Sequence, residues 1–297
     1  MGVGICLGLA GAFFQSLAYV FSKVCLIKTN MTPLRFLMTS HFVIAVFSLV
    51  ILAFVGVDLP SNNSWVFYAG GGATAYFLGQ LALIKALSKC DPSRVSALLG
   101  LKVPILAMIS LTFMGKNFAS LQWIAIGLII LSAFILSRVG GKLSKSGLIL
   151  IILATFGYSL SDIGATNLVK SFTHLSAAKA TMVSVCLTYI SCGIMTVVYF
   201  LFSKAPRQVE LKGVLPYSIV WFTSFVFLFS SFLSIGFVGG NIAQSSRGVI
   251  SIVLGIIIAG MGMKELEEKI SKKVFSARML SGLVMLLAIG AFAASQS

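Results

Sequence analysis

Three ionisable side chains stand far from any polar break in this chain: Lys102, Asp162 and Arg247. Each lies inside an apolar run, and the two cations sit about 7–10 Å in from the nearer end at 1.5 Å per helical residue. A charge there is costly and normally faces a cavity, a partner or a substrate. Lys102 and Arg247 against a single carboxylate leave a positive balance. The chemistry this suits is recognition of a carboxylate or phosphate, with Asp162 either neutralising one cation or holding an amino group or a coupling proton. The bland alternative for the two cations is snorkelling of their heads to the interface. Gln15, Gln80, Asn167, Asn241 and Gln244 add uncharged donors and acceptors in the same runs, and an amide unpaired in lipid would cost several kcal/mol. Tyr19, Tyr76 and Tyr158 are the aromatics with a polar tip placed to line a path, whereas Phe14, Trp221 and Phe227 read as packing. His41 reads as a satisfied core histidine. Lys23 and Lys85, near run ends, read as snorkelling side chains.

The elements that must position these groups follow from composition. Of 297 residues, 58% are apolar and 10% are charged, with a net charge of +15. Soluble domains carry about a quarter charged residues, so the solvent of this chain is lipid. Ten apolar runs of about spanning length fall near 3–26, 35–57, 65–87, 95–114, 120–137, 147–169, 177–202, 214–237, 242–263 and 277–294. The breaks carry turn chemistry, such as Asp58-Leu59-Pro60, Gly140-Gly141-Lys142 and Gly239-Gly240-Asn241. The stretch from Lys264 to Arg278 reads as the one long loop. The apolar start at Met1 reads as a first span, not a removable signal. The expected architecture is all-α and integral to the membrane, with ten transmembrane helices.

The cations are not a nucleic-acid signal, since no basic run interleaves with aromatics. Seventeen of the 22 flank alternate breaks, Lys28, Arg35, Lys89, Lys204 and Arg207 among them, against Lys116, Lys170 and Lys179 on the other side. The positive-inside rule makes the rich side cytoplasmic and puts both termini outside. Five cysteines without a CxxC pair predict neither a disulfide framework nor a metal site. No Walker motif is present, so ATP hydrolysis and cofactors are not expected.

The two halves echo each other. Gln15-Ser16-Leu17-Ala18 aligns with Tyr158-Ser159-Leu160-Ser161, Thr32 to Arg35 with Ser176 to Lys179, Lys102 with Arg247, Tyr19 with Asp162, Gly115 with Gly260, and Gly127 with Gly282. Five spans per half is odd, so the second half enters the membrane inverted, an architecture that builds secondary transporters around a midplane site. The repeats are placed at 1–139 and 146–297. Pro104 beside Lys102, and Gly71 with Gly72 on the third span, read as a gate or hinge. Gly2, Gly4, Gly8, Gly11 and Gly70 read as sites of close helix approach.

Gly11-Ala12-Phe13 through Ser22-Lys23, the Pro33 start of the second span, the Tyr76 to Ala86 run and the Ala97…Pro104…Gly115…Gly127 pattern together resemble the drug/metabolite transporter superfamily with EamA-type five-helix repeats. Three places depart from that family's habit: the first span has no Trp, Ser40-His41 occupy the region of a frequent Arg, and Gly115-Lys116 replaces a frequent Gly-Glu. The resemblance implies termini in the cytoplasm, opposite to the loop charges. It also implies a multi-pass protein of the cytoplasmic membrane, of bacterial inner-membrane type. The expected activity is secondary transport, in the export direction, of a small polar organic metabolite that is amino-acid-like, anionic or zwitterionic. The expected partners are that substrate, a coupling proton or cation and the lipid bilayer, in a monomer or weak homodimer. An embedded enzyme or a channel is the alternative, though the chain offers two His, no His-Glu-x-x-His and no repeated filter motif.

Overall fold

The computed structural model describes residues 2–90, 95–96, 98–115, 117–137, 145–261 and 271–295. The Gly140-Gly141-Lys142 break, the boundary between the halves, Ala97, Lys116 and most of the loop after Lys264 lie outside these residues. The described chain is helical throughout. Its helices are α1 (Gly2–Thr29), α2 (Pro33–Val55), α3 (Ser64–Leu87), α4 (Lys102–Met114), α5 (Ser120–Ser137), α6 (Lys145–Ser171), α7 (Ala177–Leu201), α8 (Gln208–Gln244), α9 (Arg247–Gly260) and α10 (Lys272–Ala294). A 3₁₀ turn, Leu99–Leu101, runs directly into α4. By length and composition six stretches suffice to cross a membrane: Gly2–Thr29, Pro33–Val55, Lys145–Ser171, Ala177–Leu201, Gln208–Gly260 and Val274–Phe292. Leu99–Met114 and Ser120–Ile135 are shorter apolar helices.

Local sequence explains the ends. Thr32 caps α2 by accepting the Arg35 amide at 3.2 Å, with Pro33 at the first helical position, where no amide is needed. Ser176 caps α7 in the same way, accepting the Lys179 amide at 3.4 Å. The two aligned segments thus use one device. Gly115 closes α4 with a left-handed φ of 60°, a conformation that favours glycine.

The 53-residue run from Gln208 to Gly260 is not one rod. Gly236 interrupts it at φ 72°. Ser231 Oγ lies 3.1 Å from where a Cβ on Gly240 would stand, whereas nine residues of continuous helix would separate them by about 13 Å. The chain therefore folds back at Gly236. This corrects the sequence-based break at Gly239-Gly240-Asn241, which the structure places within the returning arm.

The principal packing partners are α1 with α8, α3 with α6, α2 with α7 and α5 with α10. Small residues permit these crossings. A Cβ on Gly8 would stand 2.6 Å from the Ala243 methyl, and one on Gly157 would stand 2.8 Å from the Ala75 carbonyl and 2.9 Å from Gly79 Cα. Gly72 faces Gly164 across the same α3–α6 seam. Gly2, Gly70 and Gly71, expected as close-approach positions, face nothing within 4 Å. Pro104 stands in the first turn of α4, where its missing amide costs no helical bond; the irregular backbone precedes it, in the 3₁₀ turn. Outward-facing side chains such as Phe54 and Phe113, 87% and 84% exposed, form the lipid-facing surface.

Candidate functional site

The buried charges converge where two short helices begin. Lys102 is the first residue of α4 and Arg247 the first of α9. Lys102 Nζ is 2.8 Å from Asp162 Oδ2 and donates to Gln244 Oε1 at 3.2 Å. Gln244 Nε2 donates to Gln15 Oε1 at 2.7 Å, and Arg247 Nη1 donates to the same oxygen at 3.0 Å. Asn241 Nδ2 donates to Asp162 Oδ2 at 2.6 Å. The Arg247 carbonyl accepts from Ser16 and Ser96 hydroxyls, while its Nε–H reaches the Ser96 carbonyl at 3.4 Å. All six side chains of the network are at most 4% exposed.

This arrangement leaves charge unbalanced. The one carboxylate in it is bonded to Lys102, and among the described residues none bonds Arg247. The cluster carries one excess positive charge. Helical backbone runs into both α4 and α9, so the positive character of the cluster comes from its side chains. Unmet hydrogen-bond capacity is present too: Tyr19 Oη and Asn241 Oδ1 are buried without a partner.

Beside the charges lies an aromatic chamber. Tyr158 donates to Gln80 Oε1, and Gln80 Nε2 donates to Tyr217 Oη at 2.5 Å. The Lys102 ammonium lies 5.6 Å from the Tyr158 ring centroid. Tyr217 stacks on Trp221 at 5.4 Å, and Trp221 Nε1–H donates to Tyr76 Oη at 2.6 Å. His41 Nε2 meets Tyr76 Oη at 2.9 Å and Nδ1 meets the Leu37 carbonyl at 2.9 Å. His41 is thus satisfied, as the sequence suggests.

The model of the EamA-like transporter family matches residues 2–138. That segment belongs to the EamA-like transporter family. The family is part of the drug/metabolite transporter superfamily, whose members are membrane transporters. One solved crystal structure, 11% identical, superimposes with a TM-score of 0.63 over 97% of this chain and 96% of its own; the likeness is one of fold. No curated protein matches the sequence.

The EamA-like half supplies Gln15, Tyr19, Tyr76, Gln80 and Lys102, and the other half supplies Tyr158, Asp162, Asn241, Gln244 and Arg247. Neither half holds the site alone. Of the sequence candidates, Lys102, Asp162, Gln15, Asn241, Gln244 and Arg247 join one network, Gln80 and Tyr158 a second beside it, and Tyr76 a third. Asn167 is only partly buried, and its carbonyl accepts the Ser171 hydroxyl on its own helix. Sequence reasoning missed Ser96, Tyr217 and the polar role of Trp221. The recoverable signal was Tyr217 and Trp221 at one-turn spacing on the helix that follows the basic 204–212 segment.

Proposed function

We propose that this chain is a secondary transporter for a small anionic or zwitterionic organic metabolite, working by alternating access and in the export direction. The observation that carries the reading is Arg247, 2% exposed and without a carboxylate among the described residues. A buried unpaired charge is expensive, and an arriving carboxylate or phosphate relieves it. Arg247 and the Tyr19 hydroxyl would take the anionic end. Asp162 and Asn241 Oδ1 would take an amino group, exchanging for part of the Lys102 contact.

Ten membrane crossings in two inverted repeats, 1–139 and 146–297, complete the reading. Exchanging each helix for the one five places on turns the α1–α8 seam into the α6–α3 seam and leaves α2–α7 and α5–α10 in place. Ser132 and Ser281 fit a pseudo-twofold between α5 and α10: each hydroxyl donates to the other's carbonyl at 3.0 Å. Two related halves that meet at the site could rock over the α3–α6 glycine seam at Gly72, with the turn before Pro104 as a hinge. Gly71 faces away from that seam.

The test is counterflow in proteoliposomes against a metabolite library. Saturable exchange of an anionic or zwitterionic compound, lost in Arg247→Ala and in Lys102→Ala with normal insertion, is expected. Unchanged exchange in both variants refutes the charge argument.

A further inference from the structure

One titratable ring takes no part in the charge network. His41 is fully buried on α2, and its hydrogen bonds define its protonation. The Leu37 carbonyl only accepts, so Nδ1 carries a proton. Tyr76 Oη already accepts the Trp221 indole N–H, and its own proton then points to the unprotonated Nε2 of a neutral ring. The chain Trp221→Tyr76→His41→Leu37 is complete in this form; α2, α3 and α8 meet in it, with α6 and α7 against it.

A second arrangement of the same groups is available. If Nε2 takes a proton it becomes a donor to Tyr76 Oη, which has two lone pairs and can accept both His41 and Trp221. The Tyr76 proton must then turn to another acceptor. Tyr189 on α7 lies edge-on to Tyr76, with ring centroids 5.8 Å apart, and its buried hydroxyl has no partner. The groups facing the pair are Ser40 on α2 itself, Phe77 on α3, Tyr158 on α6, Tyr189 and Cys192 on α7, and Tyr217, Trp221 and Phe225 on α8. None of them is a carboxylate or a cation. We propose that His41 is a proton-binding site of the transport cycle, with Tyr76 as a hydroxyl switch between His41 and Tyr189.

Its place in the cycle rests on the transporter reading above; the protonation does not. A proton taken from water on one face would sit on Nε2 and leave to water on the other, with no other bond made or broken. Among the described residues the charged ring has no counter-ion, so loading needs either opening to water or an anion in the adjoining site. Tyr76 links the two places: its ring centroid is 6.0 Å from that of Tyr158, the ring beneath Lys102.

Two measurements test this. The chain has two histidines, His41 and His174, so ¹⁵N-histidine NMR of the intact protein in nanodiscs can resolve both imidazoles, with His41→Gln assigning them if it folds. The expected result is a neutral Nδ1–H tautomer for His41 that converts to the doubly protonated ring as the pH is lowered from about 8 to below about 4, a range that spans the ordinary histidine value. A ring that stays neutral throughout that range overturns the proposal. In proteoliposomes loaded with a radiolabelled amino-acid mixture, exchange by the unmutated protein should vary across that range and the His41→Gln profile should be flat. An unchanged profile overturns the coupling. If the unmutated protein moves none of the mixture, that counts against the proposed substrate class, and the NMR titration still decides the proton site.

Discussion

Removing either member of the Lys102–Asp162 pair should destabilise the protein far more than removing both. The charges are 2.8 Å apart and each side chain is at most 5% exposed. At an effective dielectric of about 20 their attraction is about 6 kcal/mol before desolvation is subtracted. Asp162→Asn keeps the shape but leaves Lys102 beside Arg247 with no described carboxylate, and breaking one side of a buried pair costs about 3–5 kcal/mol. Lys102→Met leaves Asp162 charged, though it still accepts the Asn241 amide, so the cost falls at the lower end of that range. The double variant removes both charges and should cost about 1–2 kcal/mol, chiefly for the hydrogen bonds lost to Gln244 and Asn241. The coupling energy is then at least about 4 kcal/mol, well above the usual additivity error. Reversible unfolding in bicelles, followed by tryptophan fluorescence, measures all three variants. Costs that add within about 0.5 kcal/mol would refute the claim that this pair is desolvated and mutually dependent.

Three further outcomes follow from the packing. Cysteines at both Ser132 and Ser281, in a chain lacking the five native cysteines, should form an intramolecular disulfide under mild oxidation, since the two hydroxyl oxygens are 2.7 Å apart; mass spectrometry showing only free thiols would exclude the α5–α10 contact. Gly157→Val should lower stability by about 1–3 kcal/mol, because its Cβ meets backbone of Ala75 and Gly79 that cannot turn away, whereas Gly71→Ala should be nearly neutral in the same unfolding assay. Glu210→Gln should lose about 1–3 kcal/mol by the same measurement. Its carboxylate is 5% exposed and accepts Arg35 Nη2 at 2.9 Å and the Arg207 amide at 2.8 Å, while Arg35 keeps the Lys204 and Ala205 carbonyls.

The apolar runs were legible because a bilayer demands about 20 apolar residues per helix, and their predicted limits fall within a few residues of most helix ends. The sharpest miss was the turn between the arms of α8. Gly236, Gly239 and Gly240 compete for it in sequence, and only a positive φ, visible in three dimensions, selects Gly236. Gly157 and Gly164, which make the α3–α6 crossing, were passed over while Gly70 and Gly71 were favoured. In a membrane chain every small residue looks alike until its helix face is known. In the last span the contact between α5 and α10 is made by Ser132 and Ser281, whereas Gly127 faces nothing within 4 Å and Gly282 faces Val249. The charged site was legible because an ionisable residue inside an apolar run has few cheap explanations. The aromatic chamber was not, because a buried Trp or Tyr is ordinary packing unless its N–H or O–H finds a partner, and partners on other helices leave no local pattern.

At the aligned positions the caps and the cations recur, and the carboxylate does not. Thr32 and Ser176 cap their helices alike, and Lys102 and Arg247 open theirs alike, yet Tyr19 stands opposite Asp162, so only one half brings a carboxylate. The faces differ as well. Arg35 on α2 is bound to Glu210 on α8 with the carboxylate nearly buried, tying the two halves together on the basic face. On the other face the His174 ring reaches only an exposed Asp58, at 3.1 Å from its carbonyl. Exposed pairs are worth little beside desolvated ones. The arrangement is therefore held more firmly on the basic side. The asymmetry follows from burial, since the Glu210 side chain is 5% exposed and that of Asp58 74%.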